Sequence, residues 1–175
     1  IYLKYGEKYK KEISSNLRVI SPSNYNVLSI SNLNSNGDDF SPAYYRDGIV
    51  FIGNSKSKKS LFKWNNRSWL TIYNIPFLPT GKEKISIQEL ELPKINKFHG
   101  GPVAFTRQDK MIYFSHNQNL DKKNKSTTNN LGIYSAKKSQ NKWTDLQAIS
   151  FNNPSYSIAH PTISDNGKEM YFVSD

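Results

Sequence analysis

Apolar and polar positions change over in short runs along most of this chain, and Ser, Asn, Gly, Asp or Pro breaks each run. Side chains of a strand alternate between faces with a period of two, so runs of this length and pattern predict short β-strands. Three stretches share one plan: DFSPAYYRDGIVFIGN (39–54), HGGPVAFTRQDKMIYFSHN (99–117) and SIAHPTISDNGKEMYFVSD (157–175). Each carries a proline, a partly alternating run, a polar turn and an apolar run containing Phe. The turns are Arg46-Asp47-Gly48, Arg107-Gln108-Asp109-Lys110 and Asp165-Asn166-Gly167. Pro42, Pro102 and Pro161 lie 60 and 59 residues apart, and Phe51, Phe114 and Phe172 lie 63 and 58 apart. A period of about sixty residues is therefore written into the sequence, with small insertions in the turns.

Further strand patterns follow the first two copies, SLFKWNNRSWLTIYNI (60–75) and LGIYSAKKSQNKWTDLQAI (131–149). Both hold an aromatic-containing strand, a polar turn and a Trp-led strand, which sets Trp69 against Trp143. Roughly four strands per period predict an all-β fold of the β-propeller type, in which each four-stranded blade buries its faces against its neighbours. A β-sandwich or open barrel also has short strands with turn signals, but neither predicts one motif three times at near-constant spacing. The expected organisation is blade 1 over residues 39–97, blade 2 over 98–156 and the start of a third over 157–175. Closed propellers need about four to eight blades, so the ring is expected to be incomplete within these residues.

The first sixteen residues follow another rule. Tyr2, Tyr5, Tyr9 and Ile13 fall on a helical stripe, with Ser14 to Asn16 ending it. Residues 1–16 are expected to be a short helix, the tail of a preceding helical region. Residues 17–38 read as a linker with a strand, Val27 to Ile30, able to close a ring.

Composition narrows the function classes. The apolar fraction of 36% and charged fraction of 22% suit a core-forming domain and not a disordered chain. No window approaches 18 consecutive apolar residues, so no helical membrane span is expected. The first residues lack the order of a signal peptide. There is no cysteine, which excludes disulfides and thiolate metal sites. The net charge is +10, with Lys56, Lys58, Lys59, Lys63 and Arg67 clustered before Ser68 and Lys122, Lys123 and Lys125 in a second group. These lysines sit in Ser/Asn-rich connectors without a groove-filling helix or a nucleic-acid motif, so they read as loop-solvating charge and no nucleic-acid partner is predicted.

Candidate chemistry is sparse. Without cysteine, nucleophilic catalysis falls to serine and one of three histidines, and no Gly-x-Ser-x-Gly elbow occurs. Ser41 and Ser164 occupy repeat positions, where hydrogen bonding in turns and strands explains them. His99 and His160 both precede a repeat proline, and no His-x-His or His-Glu-x-x-His pattern offers metal ligands. Asp47, Asp109 and Asp165 sit in the repeated turns, where Asp is favoured; Asp38 and Asp39 point to opposite faces of a strand. Tyr44, Tyr45, Tyr113 and Tyr171 are expected to pack between blades. The sequence thus predicts no enzyme, no cofactor and no metal site, and offers His99, His160, Trp64, Trp69 and Arg67 as candidate partner-binding residues. The competing reading of each histidine is a ring that ties the start of a strand to neighbouring backbone.

The repeat resembles the TolB-like, WD-repeat-like β-propellers, whose blades carry a Ser-Pro-Asp-Gly-Lys-type turn before a Leu/Tyr-Phe strand. Residues 39–51, Trp64-Asn65-Asn66, the lead 94–99 with the hairpin 103–114, and His160 to Asp175 resemble, in that order, the propeller of OmpA-family, PorE-like cell-envelope proteins of Bacteroidota. The resemblance covers residues 27–175. It implies a non-enzymatic scaffold at the periplasmic face of the outer membrane, serving type IX secretion, gliding or outer-membrane assembly. It also implies other envelope proteins as partners, and peptidoglycan only through a domain outside this chain. The alternatives are an accessory propeller of a prolyl-oligopeptidase-like hydrolase and a carbohydrate-processing propeller. The second copy departs from the pattern at Gly100, where relatives often carry Glu, and in a turn that lacks the usual Gly.

Overall fold

A computed structural model describes residues 35, 37–54, 61–62, 65–76, 86–93, 95, 99–118 and 129–175. The expected helix over 1–16, the strand Val27 to Ile30 and Trp64 lie outside the described residues. The chain divides into two units, Ile1–Ile30 and Ser31–Asp175, and every described residue belongs to the second.

The described residues are all-β. β1 (Asp39–Tyr45), β2 (Gly48–Gly53), β5 (Thr71–Pro76) and β6 (Gln88–Glu89) form one four-stranded antiparallel sheet in the order β1-β2-β5-β6. β7 (Gly100–Phe105), β8 (Met111–Asn117), β9 (Leu131–Ser139) and β10 (Lys142–Ala148) form a second, in the order β10-β9-β8-β7. β11 (Ile158–Ile163) and β12 (Met170–Ser174) make a hairpin, and β3 (Leu61–Phe62) and β4 (Arg67–Ser68) a minimal one.

The two sheets correct the tryptophan correspondence. Trp143 lies in β10, a fourth strand, whereas Trp69 precedes β5, a third strand. The β3–β4 hairpin is inserted between β2 and β5 and carries aromatics of its own, which imitates a strand pair of the repeat. By position in the sheets, β5 answers to β9.

Each repeat proline marks a β-bulge. Register shifts fall between Phe40 and Ala43, Gly100 and Val103, and Ala159 and Thr162, so Ser41-Pro42, Gly101-Pro102 and His160-Pro161 each oppose one residue. Proline has no N–H to give a ladder, so it is confined to edges and bulges. All three bulges lie on strands at the edge of their sheets. Ser41 and His160 take positive φ, 53° and 57°, an uncommon geometry for non-glycine residues that the bulge imposes.

The turns explain a departure noted in the sequence. In the third copy the Gly167 N–H donates to the Ser164 carbonyl at 2.8 Å, with Gly167 at φ +70°. In the second, the Asp109 N–H donates to the Thr106 carbonyl at 2.7 Å, with Asp109 at φ 52°. Asp is among the few residues that tolerate the left-handed region, so it stands in for the glycine.

One apolar core joins the two sheets. Val50 and Ile52 of β2, Ile72 of β5, Val103 of β7, Ile112 and Phe114 of β8, Ala136 of β9 and Trp143 of β10 are all buried in it. At one end Tyr45 stacks on Phe105, with centroids 4.5 Å apart. The opposite face of the second sheet receives the third hairpin: β11 packs on β7, β8 and β9, and the His160 N–H donates to the buried Ser115 hydroxyl at 2.9 Å. The second sheet is thus covered on both faces. Tyr45 is buried and Tyr113 half-buried, as expected of tyrosines between layers, whereas Tyr44 and Tyr171 are exposed.

Candidate functional site

The sheets have two ends. At one, β1 and β7 begin and β2 and β8 finish; at the other lie the tight turns. Backbone hydrogen bonds join the two sheets at the first end, where the Gly100 N–H donates to the Leu70 carbonyl at 2.9 Å. At the turn end the Arg46 guanidinium donates to the Asn141 side-chain carbonyl at 3.0 Å.

The strand-start end collects most of the candidate residues. Phe62 of β3, Trp69 and His99 form a ring cluster, with centroids 4.9 Å apart for Phe62 and Trp69, 5.0 Å for Phe62 and His99 and 4.6 Å for Trp69 and His99. Both rings meet His99 edge-on, a geometry that aromatic quadrupoles favour. The Leu70 N–H donates to His99 Nδ1 at 3.1 Å, so Nδ1 is the acceptor and carries no proton. The His99 N–H in turn donates to Asn117 Oδ1 at 3.1 Å. Burial, with the nearby His116 adding to it, holds the His99 pKa below its ordinary value. The ring therefore ties the start of β7 to the backbone before β5.

Arg67, two residues before Trp69, reaches Asp38. Its guanidinium lies 2.6 Å from Asp38 Oδ1, and both side chains are about half exposed. The Asn54 amide, itself buried, donates to Asp38 Oδ2 at 2.8 Å and accepts from the Asp38 N–H at 3.0 Å. The hydrogen bond from Arg67 is the main reason that the Asp38 carboxyl titrates below its ordinary range. The charge of Arg67 is thus partly met within the chain.

Trp69 is half-buried and Arg67 exposed, so this end presents an aromatic edge beside a paired charge. His160 belongs to a different element, β11, where it is exposed at the bulge. Trp64 lies outside the described residues. The residues flanking the two basic stretches, Asn54 and Leu61, and Gln118 and Asn129, connect second strands to third strands and so lie at the same strand-start end. Sequence reasoning missed Phe62, Asp38 and Asn54; Phe62 meets Trp69 seven residues on, but their other partners are 16 to 37 residues away in sequence. No local pattern announces such pairs; the polar character of Asp38 and Asn54 at strand ends was the available signal.

Other polar groups serve turns. The Ser164 hydroxyl donates to Asn166 Oδ1 at 2.8 Å and accepts from the Glu169 N–H at 3.0 Å. Asp39 Oδ2 accepts from the Ser35 hydroxyl at 2.6 Å. Among the described residues no group of three or more His, Asp or Glu side chains converges as metal ligands, and no helix is long and apolar enough to cross a membrane. No protein-family model, curated protein or solved structure matches the chain.

Proposed function

We propose that this chain is the TolB-like β-propeller portion of a non-enzymatic interaction scaffold, with blades over residues 39–97 and 98–156 and the opening of a third over 157–175. The carrying observation is the second sheet, packed on one face by the first sheet and on the other by β11. A two-layer sandwich covers each sheet on one face only, whereas successive blades cover both. The successive edge strands β1, β7 and β11, each bulged at its proline, are the strands that would line the propeller axis.

The resemblance to OmpA-family, PorE-like envelope proteins supplies the setting, the periplasmic face of the outer membrane in a secretion, gliding or assembly machine. The strand-start end is the surface for a partner protein: it carries Trp69, His99 and Arg67, and both basic connections leave from it. Aromatic and Arg side chains are the residues that interfaces most often use as anchors.

Site-specific photo-cross-linking against solubilised outer membranes tests this reading. A cross-linker at position 67, at the strand-start end, is expected to trap a defined envelope protein; one at the exposed Gln108, at the turn end, is not. Equal trapping at both positions, or capture of soluble cytoplasmic proteins or a hydrolase alone, overturns it.

A further inference from the structure

The turn end of the second sheet carries charge that the described chain does not neutralise. Lys110 and Lys138 oppose each other across β8 and β9. They lie one step beyond the pair Met111–Lys137, and the Lys138 N–H donates to the Lys110 carbonyl at 2.8 Å. On the other side of β9, Lys138 opposes Trp143 of β10. Directly opposed residues share a face of the sheet. Here it is the inner face, because Ile112 and Ala136, each two residues along from these lysines, are buried in the core with Trp143. Like charges placed directly opposite one another destabilise a sheet.

A third cation joins them from the first sheet. The Arg46 guanidinium carbon lies 5.5 Å from the Tyr45 ring centroid. The Lys138 ammonium lies 4.7 Å from the same centroid and donates to the Tyr45 hydroxyl. Arg46 also reaches across the seam between the sheets to Asn141, in the turn between β9 and β10. Guanidinium and ammonium groups each carry several N–H donors, so both heads keep donors beyond these neutral acceptors. Among the described residues no carboxylate pairs with Arg46, Lys110 or Lys138. Asp38 is taken by Arg67 and Asp165 by Arg107, Asp145 accepts from the Gln147 amide at 3.0 Å, and the turn residues Asp47 and Asp109 form no ion pair. Arg46 and Lys110 are exposed and Lys138 half-buried, so the cluster opens to solvent.

We infer that this seam is a binding site for an oxyanion of the phosphate class, held by Arg46, Lys110 and Lys138. The anion takes the N–H groups left over by the neutral acceptors, and its charge offsets the repulsion between Lys110 and Lys138. The planar fork of Arg46 suits two phosphate oxygens, with the lysines as point charges beside them. Arg46 belongs to the first sheet and both lysines to the second, so binding also clamps the two sheets together. Free phosphate and an anionic lipid headgroup present the same oxygens to these groups. The inference goes beyond the scaffold reading and does not depend on its envelope partners; neither source offers a protein for a cross-linker at Gln108 to trap.

Inorganic phosphate, titrated into the chain at constant ionic strength and followed by amide chemical shifts and urea unfolding, is the first probe. Saturable shifts at Arg46, Lys110 and Lys138 are expected, with a urea midpoint that rises with phosphate. Lys110→Gln removes one exposed cation and should weaken binding about fivefold, what an exposed ion pair at the top of its usual range supplies. Lys168→Gln, in the turn of the third hairpin, should leave the affinity unchanged. Flotation with phosphatidylcholine vesicles, with and without phosphatidylglycerol, separates the two sources. Retention on the anionic vesicles that Lys110→Gln weakens assigns a lipid headgroup; saturable phosphate binding without such retention assigns a free ion. Absence of both, shifts confined to the strand-start end around Arg67, or equal weakening by Lys168→Gln would overturn the site. Failure of membrane cross-linking at position 67 would leave this result standing, so the two proposals fail separately.

Discussion

Gly48 begins β2 where no side chain fits: a Cβ built there lies 2.2 Å from the Ile75 carbonyl oxygen, which belongs to a paired strand. Backbone cannot yield as a flexible side chain can, so Gly48→Ala must push β2 and β5 apart, at a cost of about 1–3 kcal/mol or more. Gly167→Ala meets nothing within 4 Å and suffers only from its φ of +70°, so about 1 kcal/mol is expected. Urea unfolding of the two variants should rank them in that order. His99 gives the chain a pH dependence. Protonated imidazole has no lone pair at Nδ1, so the Leu70 hydrogen bond exists only with the ring neutral. The folded pKa lies below the ordinary 6.5. As pH falls past 6.5 the unfolded chain takes up this proton first, so stability declines until the folded value is passed and then levels off. Above 6.5 the ring is neutral in both states and adds no slope. His99→Asn keeps an acceptor and removes the titration, so the parent should lose stability relative to this variant as the solution is acidified below 6.5; parallel losses would clear His99. The sequence made the histidine legible as a tie to backbone, because it stands just before a strand. It could not name Leu70, 29 residues away.

At the scale of elements, the proline spacing carried the most information. A residue that cannot donate to a ladder restricts where its strand can sit, and each of the three repeat prolines lies in an edge-strand bulge. Aromatic content misled where prolines did not: Trp69 and Trp143 look alike in sequence, but one introduces a third strand and the other sits in a fourth. β6, two exposed polar residues, Gln88 and Glu89, gives no periodic signal at all; its pairing with Tyr73 and Asn74 is tertiary. The two sheets are also pinned between elements at the turn end. Lys138 of β9 donates to the Tyr45 hydroxyl of β1, and its ammonium lies 4.7 Å from the Tyr45 ring centroid and 5.2 Å from that of Trp143. Lys138→Met keeps the aliphatic stem and removes the cation together with its hydrogen bond to the Tyr45 hydroxyl, so the loss reports both contacts, about 0.5–2 kcal/mol. A double-mutant cycle with Tyr45→Phe should give a coupling of similar size. Because Tyr45→Phe keeps the ring, this coupling reports the hydrogen bond, and a coupling of zero would assign the whole Lys138→Met loss to the ring contacts.

At the scale of the whole described unit, the all-β character and the repeat could be read from the sequence, but the pairing of sheet faces could not. Whether Val50 and Ile52, rather than Ile49 and Phe51, meet the next sheet depends on register, and register is set by pairings that span tens of residues. The structure shows Val50, Ile52 and Ile72 in one core with Val103, Ile112 and Phe114, while Phe51, Tyr73 and Ile75 cluster separately. A single core shared by two sheets makes a mechanical prediction. Neither sheet can bury its apolar face without the other, so opening one exposes both. Ile112 of β8 is fully buried at this junction. Ile112→Ala removes three carbons and leaves a cavity, at a cost of about 2–5 kcal/mol, a large share of a typical domain's 5–15 kcal/mol. If the two sheets unfold as one unit, hydrogen exchange at the β2 amides of Val50 and Ile52 accelerates by the same factor as at Phe114 and Ile133 in the other sheet. If each sheet is an independent unit, only β7–β10 responds. Tyr45→Ala, from the first sheet, supplies the reciprocal case: acceleration in β8 and β9 is required by the shared core, and its absence would divide the unit into two.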